Sequence, residues 1–545
     1  MFLYLFYPIL FLDNIHYYSN LNFINLLLTH LYFPYVKFAF ILSLFVSNFI
    51  LFYYLFKNID SSPKRENDFV VPSFGLFVGK DLNDTAVYIY EKSLYQNILI
   101  TGSIGSGKTS SAIYPFTKQL IEYCSSNFGK KIGFLILDVK GNYYSKVLDF
   151  AKNCNRLNDV IVISLNGKYK YNPLDKPNIK ASVLANRLKN ILLLFSPNNT
   201  ESYWLDKVEQ ILECFINYCR IYNNGYVDFN EIHNLTIDYD YFKSKIELAR
   251  NAFISGLLSK DKIYSLYYSI SFLEKDFYRL DQRTHNLLVS EITRITGVFV
   301  SDYNVKKTFC PSRNEENFYG FKDVINKGKI VVLNMNISEY RNLSKIIATY
   351  LKMDFQTDVL KQLANSSSPK RTTCFISDEY QEYVTSSDAD FFSQSRESKC
   401  INIISTQSYS SILNSLNNKN ATNVIIQNLV NKLWFRTDDI YTIEDIQKQI
   451  GKESKNMYSK TFSENPRESN YNYISKSFTS LGSNISESIN SYTQKDFVYD
   501  YNYFTQNLKT FHCVAFLSDG NSIIKPKEIE MFPYFKKRRI YEKNK

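Results

Sequence analysis

The run Gly102-Ser103-Ile104-Gly105-Ser106-Gly107-Lys108-Thr109 satisfies G-x-x-x-x-G-K-[ST], a spacing whose chemistry is the cradling of a nucleoside triphosphate. Small residues let main-chain N–H groups wrap a phosphate. The lysine ammonium reaches the β and γ oxygens and the threonine hydroxyl ligates Mg²⁺, all at a helix N-terminus. The candidate ATP-binding residues are Gly102, Ser103, Gly105, Ser106, Gly107, Lys108, Thr109 and Ser110. Such a loop needs a second, carboxylate-bearing strand, and Cys374-Phe375-Ile376-Ser377-Asp378-Glu379 supplies one. Thr109 and Asp378 are then the Mg²⁺ ligands, and Glu379 orients and deprotonates the attacking water. Alone, the acid pair reads more readily as a strand end with solvated acids; the phosphate loop in the same chain turns the balance to catalysis.

Other residues rank below these. Asp138, ending Ile136-Leu137-Asp138, has the same look and is a secondary site residue, its strand expected next to that of the loop. Arg396 is a candidate to reach the γ-phosphate on a neighbouring subunit, where a guanidinium fork stabilises transition-state charge; an ordinary surface arginine is the competing reading. Gln407 either senses the γ-phosphate or merely caps the end of the apolar run 401–405. His233, His285 and His512 show no metal or relay spacing and read as structural.

These side chains need elements to hold them. The apolar run Asn97-Ile98-Leu99-Ile100 precedes the loop, and Ala112, Ile113, Phe116, Leu120 and Ile121 follow at helical spacing, with Pro115 early in that helix. A chance match in a Gly/Ser turn would lack both flanks. Further strands are expected at 132–137, 160–163, 329–334, 373–376, 401–405, 432–435 and 511–517. Alternating with helical stretches, they imply an α/β fold with a mainly parallel sheet covered on both faces. From 179 to 309 helical periodicity takes over, as in Trp204, Val208, Ile211, Leu212 and Phe215, which predicts an inserted all-helical domain. Residues 452–494, rich in Ser, Asn and Tyr, read as an exposed hairpin or a mobile loop.

At 545 residues the chain is too long for one core. Residues 38–56 form an uncharged run of 19, enough at about 1.5 Å per residue to cross a bilayer core of about 30 Å. A second span is expected upstream. A cleaved signal peptide is the weaker reading, because no Lys or Arg precedes Lys37 and no small-residue cleavage site follows. Lys57, Lys64 and Arg65 behind the span place the remainder in the cytoplasm. The net charge of +11 and the terminal Lys536-Lys537-Arg538-Arg539 suit a polyanion such as nucleic acid or anionic lipid, although so modest an excess is more often a solvated surface. The eight cysteines form no C-x-x-C pair, so they read as reduced structural thiols rather than a metal site.

Taken in order, the membrane segment, Gly102 to Thr109, Asp138-Val139-Lys140-Gly141, Tyr171-Asn172-Pro173-Leu174, the helical insert, Asp378-Glu379-Tyr380, Ser395-Arg396 and Ser405-Thr406-Gln407-Ser408 form a specific combination. Over roughly residues 30 to 535 it resembles the TraG/TraD-type coupling proteins of conjugation and type IV secretion. The family's D-P-K-G reads Asp138-Val139-Lys140-Gly141, without the proline, and the end is basic rather than acidic. The resemblance implies a RecA-like P-loop NTPase that assembles into a hexamer at the inner membrane. It would use ATP and Mg²⁺ to move DNA, with relaxase, relaxosome or effector proteins and channel components as partners. The expected layout is an anchor at 1–57, a linker at 58–72, nucleotide-binding parts at 73–178 and 316–535 around the all-α insert 179–315, and a basic tail at 536–545. Alternatives are an FtsK-like translocase, a channel-assembly ATPase, or a platform that recruits cargo and uses nucleotide only as a switch.

Overall fold

The computed structural model describes residues 42–43, 74–138, 140–195, 202–254, 258–364, 370–465, 470–474, 476–479 and 484–536. Apart from 42–43 and Lys536, the expected anchor, linker and basic tail lie outside them. Among the described residues no helix is long and apolar enough to cross a membrane. The chain divides into two compact units, Met1–Val71 and Pro72–Lys545, and the second holds the sheet.

The strands in chain order are β1 (Gly75–Asp81), β2 (Ala86–Tyr90), β3 (Ile98–Thr101), β4 (Gly133–Leu137), β5 (Val160–Ile163), β6 (Ile330–Leu333), β7 (Thr373–Ser377) and β8 (Cys400–Thr406). After them come β9 (Asn431–Trp434), β10 (Lys452–Asn465), β11 (Asn470–Asn472), β12 (Ser477–Thr479), β13 (Asn484–Phe497), β14 (His512–Phe516) and β15 (Lys527–Glu530). Eleven of them form one sheet in the order β2-β1-β15-β14-β9-β3-β8-β7-β4-β6-β5. From β9 to β5 every neighbour is parallel, while β14, β15, β1 and β2 extend the sheet antiparallel beyond β9. The sheet is therefore mostly parallel, with an antiparallel flank of which the apolar runs announced only β14.

All five residues of β4 and of β7 are buried, as strands covered on both faces must be. Leu99, Leu135, Val331 and Phe375 face one core, Ile98, Ile100, Phe134 and Ile376 the other. Each such side chain contributes ~1.5–3 kcal/mol on burial. The first core continues into the helices Ser202–Tyr222 and Gln282–Val300 through Phe215 and Phe299, so the helical stretch between β5 and β6 shares the sheet's interior. Asp228, Asp281 and Asp302 start three of its helices by accepting N–H bonds from the first turn.

Tyr171-Asn172-Pro173-Leu174 is the joint between these layers. Asn172 donates to the Val227 carbonyl at 3.0 Å and accepts from the Leu174 N–H at 3.0 Å. Tyr171 donates to Asp354 at 2.8 Å, and the buried Asp354 also meets Arg187 at 3.0 Å and Lys176 at 3.3 Å. Within 452–494 the described residues form a hairpin, β10 against β13 from Lys452↔Phe497 to Asn465↔Asn484.

Candidate active site

Parallel strands deliver their C-terminal ends to one edge. The pairs Thr101↔Thr406, Ile404↔Ser377 and Leu137↔Ser377 bring the ends of β3, β8, β7 and β4 together there. The loop leaving β3 is tied down on its far side: the Ser103 N–H donates to the Arg436 carbonyl at 2.8 Å and Ser106 Oγ to the Ser103 carbonyl at 2.8 Å. Gly102 is needed for close approach, since a Cβ there would sit 2.6 Å from that of Phe435. Gly107 has φ +102°, and a Cβ would lie 2.5 Å from the Phe511 ring.

The helix after the loop begins as a π-turn, Lys108–Ile113, and continues as Tyr114–Glu122. Pro115 has no N–H to return to the fourth residue back. The chain accommodates this by sending the Tyr114 N–H five residues back, to Thr109. No side chain caps the turn at Gly107, which leaves its first N–H groups for a ligand.

Lys108 is buried and donates to the carbonyls of Gly102 and, at 3.2 Å, Ser103. Burial pushes its ammonium down, against the pull of Glu379 and Asp378. Thr109 Oγ1 donates to Asp378 Oδ2 at 2.9 Å. Burial pushes the Asp378 carboxyl up, the Glu379 charge adds to this, and the Thr109 hydroxyl opposes it. Glu379 follows with φ 51°, ψ 51°, a left-handed conformation that turns the chain sharply as β7 ends.

Gln407 donates from Nε2 to Glu379 Oε2 at 3.1 Å, so the two meet at the site. Gln381, which sequence reasoning missed, donates to the same oxygen at 2.7 Å and accepts from Thr406 Oγ1 at 2.9 Å. Lys140 was also missed as a site residue, although its motif was noted; its charge acts on both Lys108 and Asp378.

Asp138, on the strand beside β7, lies near enough for its charge to raise the Asp378 carboxyl, and it also caps the next helix. Its carboxylate accepts the N–H groups of Lys140 at 3.0 Å and of Asn142 and Tyr143 at 3.2 Å, opening the helix Tyr143–Asn153. Its strand is not next to β3, because β8 and β7 intervene. Arg396 lies in the exposed turn before β8, at the opposite end of that strand from Gln407. Six steps of about 3.3 Å put it ~20 Å from the loop of its own chain. His512 Nδ1 pairs with Glu528 Oε1 at 2.7 Å, His233 meets Thr296 at 3.0 Å and His285 lies against Phe277.

A hydroxyl and a carboxylate 2.9 Å apart, both hard oxygen donors, fit a small divalent cation, and the uncapped turn beside them fits a phosphate. No protein-family model matches the sequence, and no curated protein matches it either. Solved structures do match in shape. The plasmid coupling protein TrwB in complex with the GTP analogue GDPNP superposes with a TM-score of 0.53 at 11% identity, over 82% of this chain and 87% of TrwB. TrwB with ADP and Mg²⁺ gives 0.51 at 12% identity, over 81% and 86%. An unbound form of TrwB, described as a bacterial conjugative coupling protein, gives 0.50 at 11% identity, over 82% and 87%.

The fold is that of TrwB. At such identity the TrwB likeness speaks for architecture, a large mostly parallel sheet with a P-loop, and the side chains at the sheet edge speak for themselves.

Proposed function

We propose that this chain is an ATPase that couples hydrolysis to the transfer of DNA, or of a nucleoprotein, into a type IV secretion or conjugation channel. The observation that carries the reading is the Thr109–Asp378 contact of 2.9 Å, with Glu379 held one residue further on by Gln407. The TrwB fold supports the coupling-protein part, and the ADP, Mg²⁺ and GDPNP seen on TrwB support nucleotide and Mg²⁺ as ligands of this chain.

ATP with Mg²⁺ supplies an activated phosphoryl group whose charge the metal helps to neutralise. Lys108 exchanges the carbonyls of Gly102 and Ser103 for phosphate oxygens. Thr109 and Asp378 would hold the cation through their oxygens. Glu379 takes a proton from water on its carboxylate, which Gln381 and Gln407 keep in one orientation. Arg396 is too far along β8 to serve its own loop, which supports a role on a neighbour's γ-phosphate in a homohexamer.

The uncharged run 38–56 and the basic residues behind it support an inner-membrane anchor with the catalytic unit in the cytoplasm. DNA contact through phosphates would weaken steeply with salt and show little sequence preference. Relaxase or effector proteins and channel components complete the partners. In donor cells, Lys108→Ala is expected to stop transfer while the chain stays in the membrane fraction at normal level; undiminished transfer would refute the proposal.

A further inference from the structure

The C-terminal segment returns to the phosphate loop and lines it with aromatic rings. Phe511 donates its N–H to the Ser106 carbonyl at 3.1 Å, and Tyr534 donates its own to the Ser110 carbonyl at 2.9 Å. The Phe511 ring packs on Gly107, with the residue held at φ 67°, a left-handed conformation uncommon for a bulky side chain. Phe535 sits edge-on to Phe511, centroids 6.3 Å apart at 73°, and to Tyr534, 5.5 Å apart at 79°. Tyr534 in turn meets Tyr114 edge-on at 5.2 Å, with Lys146 Nζ 5.2 Å from its centroid. Yet Phe535 is 60% exposed and Tyr534 40%. Large aromatic rings held at fixed angles and left in solvent are surfaces for a flat ligand.

The polarity of a bound triphosphate says which end lies here. Lys108 serves the β and γ oxygens and Glu379 the water beyond them, so the α-phosphate, ribose and base run away from Glu379, past Ser110. Tyr534 is pinned at Ser110. We infer that Phe535, buttressed by Phe511 and Tyr534, is the stacking surface for the purine base of the nucleotide. The main-chain N–H groups of Phe511 and Tyr534 are already used on loop carbonyls, so recognition is by ring face and adenine and guanine are accepted alike. This inference rests on the nucleotide reading of the loop.

Calorimetric titration of the full chain in detergent with Mg-ATP, Mg-GTP and magnesium tripolyphosphate tests it. Phe535→Ala is expected to weaken both nucleotides about tenfold, ~1.4 kcal/mol, and to leave tripolyphosphate unchanged, while Phe535→Trp keeps wild-type affinity. Unchanged ATP affinity in Phe535→Ala, an equal loss of tripolyphosphate, or a preference above tenfold for one base would overturn it. Lys108→Ala separates the two levels. If it weakens ATP and tripolyphosphate while Phe535→Ala weakens neither, only the base surface falls. If it weakens neither ligand, the phosphate-loop reading and the base surface fall together.

Discussion

Gln407 reaches Glu379 across adjacent strands, its Nε2 donating to Glu379 Oε2 at 3.1 Å. A hydrogen bond to a charged group contributes ~1.5–3 kcal/mol. Gln407→Ala should therefore lower kcat about 10–100-fold, through loss of base orientation, with ATP affinity held within about twofold. Steady-state ATPase assays alongside binding titration check this. A rise in Kd as large as the fall in kcat would mean that Gln407 binds nucleotide instead.

Asp378 is an ionisable group in a buried place, and burial raises its carboxyl. A raised carboxyl in the fold means that ionisation at neutral pH is penalised there relative to the unfolded chain. Asp378→Asn should thus melt above wild type without nucleotide and lose the stabilisation that ATP with Mg²⁺ gives wild type. Thermal melts with and without ligand measure both effects.

Lys352 is a buried charge with partners around it: burial pushes its ammonium down, and Asp388 pulls against this. Its ammonium meets Asp388 Oδ2 at 2.5 Å, the Tyr383 carbonyl at 2.6 Å and Thr385 Oγ1 at 3.0 Å, and Asp388 also accepts from Gln356 at 2.8 Å and from Tyr380. This cluster clamps the turn that follows Glu379. Lys352→Met strands the Asp388 carboxylate, a loss of ~3–5 kcal/mol, and Lys352→Met with Asp388→Leu should recover part of it. Urea unfolding decides; a single-variant loss under about 1 kcal/mol would contradict the assigned role.

Glu316 accepts the Asn172 N–H at 3.1 Å at the joint between sheet and insert, and burial pushes its carboxyl up to about 7. Because the folded value lies above the unfolded one, its favourable contribution is present below the usual glutamate range and fades as pH rises toward 7. Glu316→Gln keeps the acceptor and removes the charge. It should melt ~2–4 °C above wild type at pH 8 and converge with it near pH 5.

Much of the site was legible because it is local. The loop spacing, the apolar runs that became β3, β4, β7 and β8, and the adjacent acids Asp378 and Glu379 need no distant information. Asp138 misled because chain order after the loop's helix suggested a neighbouring strand, whereas the sheet inserts β8 and β7 between. β1, β2 and β15 were missed although Ala86-Val87-Tyr88-Ile89-Tyr90 is an apolar run with Val87 and Ile89 buried, because the partner that places β1 in the sheet, Lys527–Glu530, lies at the far end of the chain. Gln381 beside Thr406, and Tyr534 beside Ser110, are meetings of separate segments that only the assembled sheet brings about.

The most direct test of the central claim is ATP turnover by the compact unit 72–545 with and without DNA. Hydrolysis is expected to accelerate with DNA and to disappear in Lys108→Ala and Glu379→Gln. Stable ATP binding with no turnover, even with DNA and at ring-forming concentration, would contradict the claim and leave a recruitment platform switched by nucleotide.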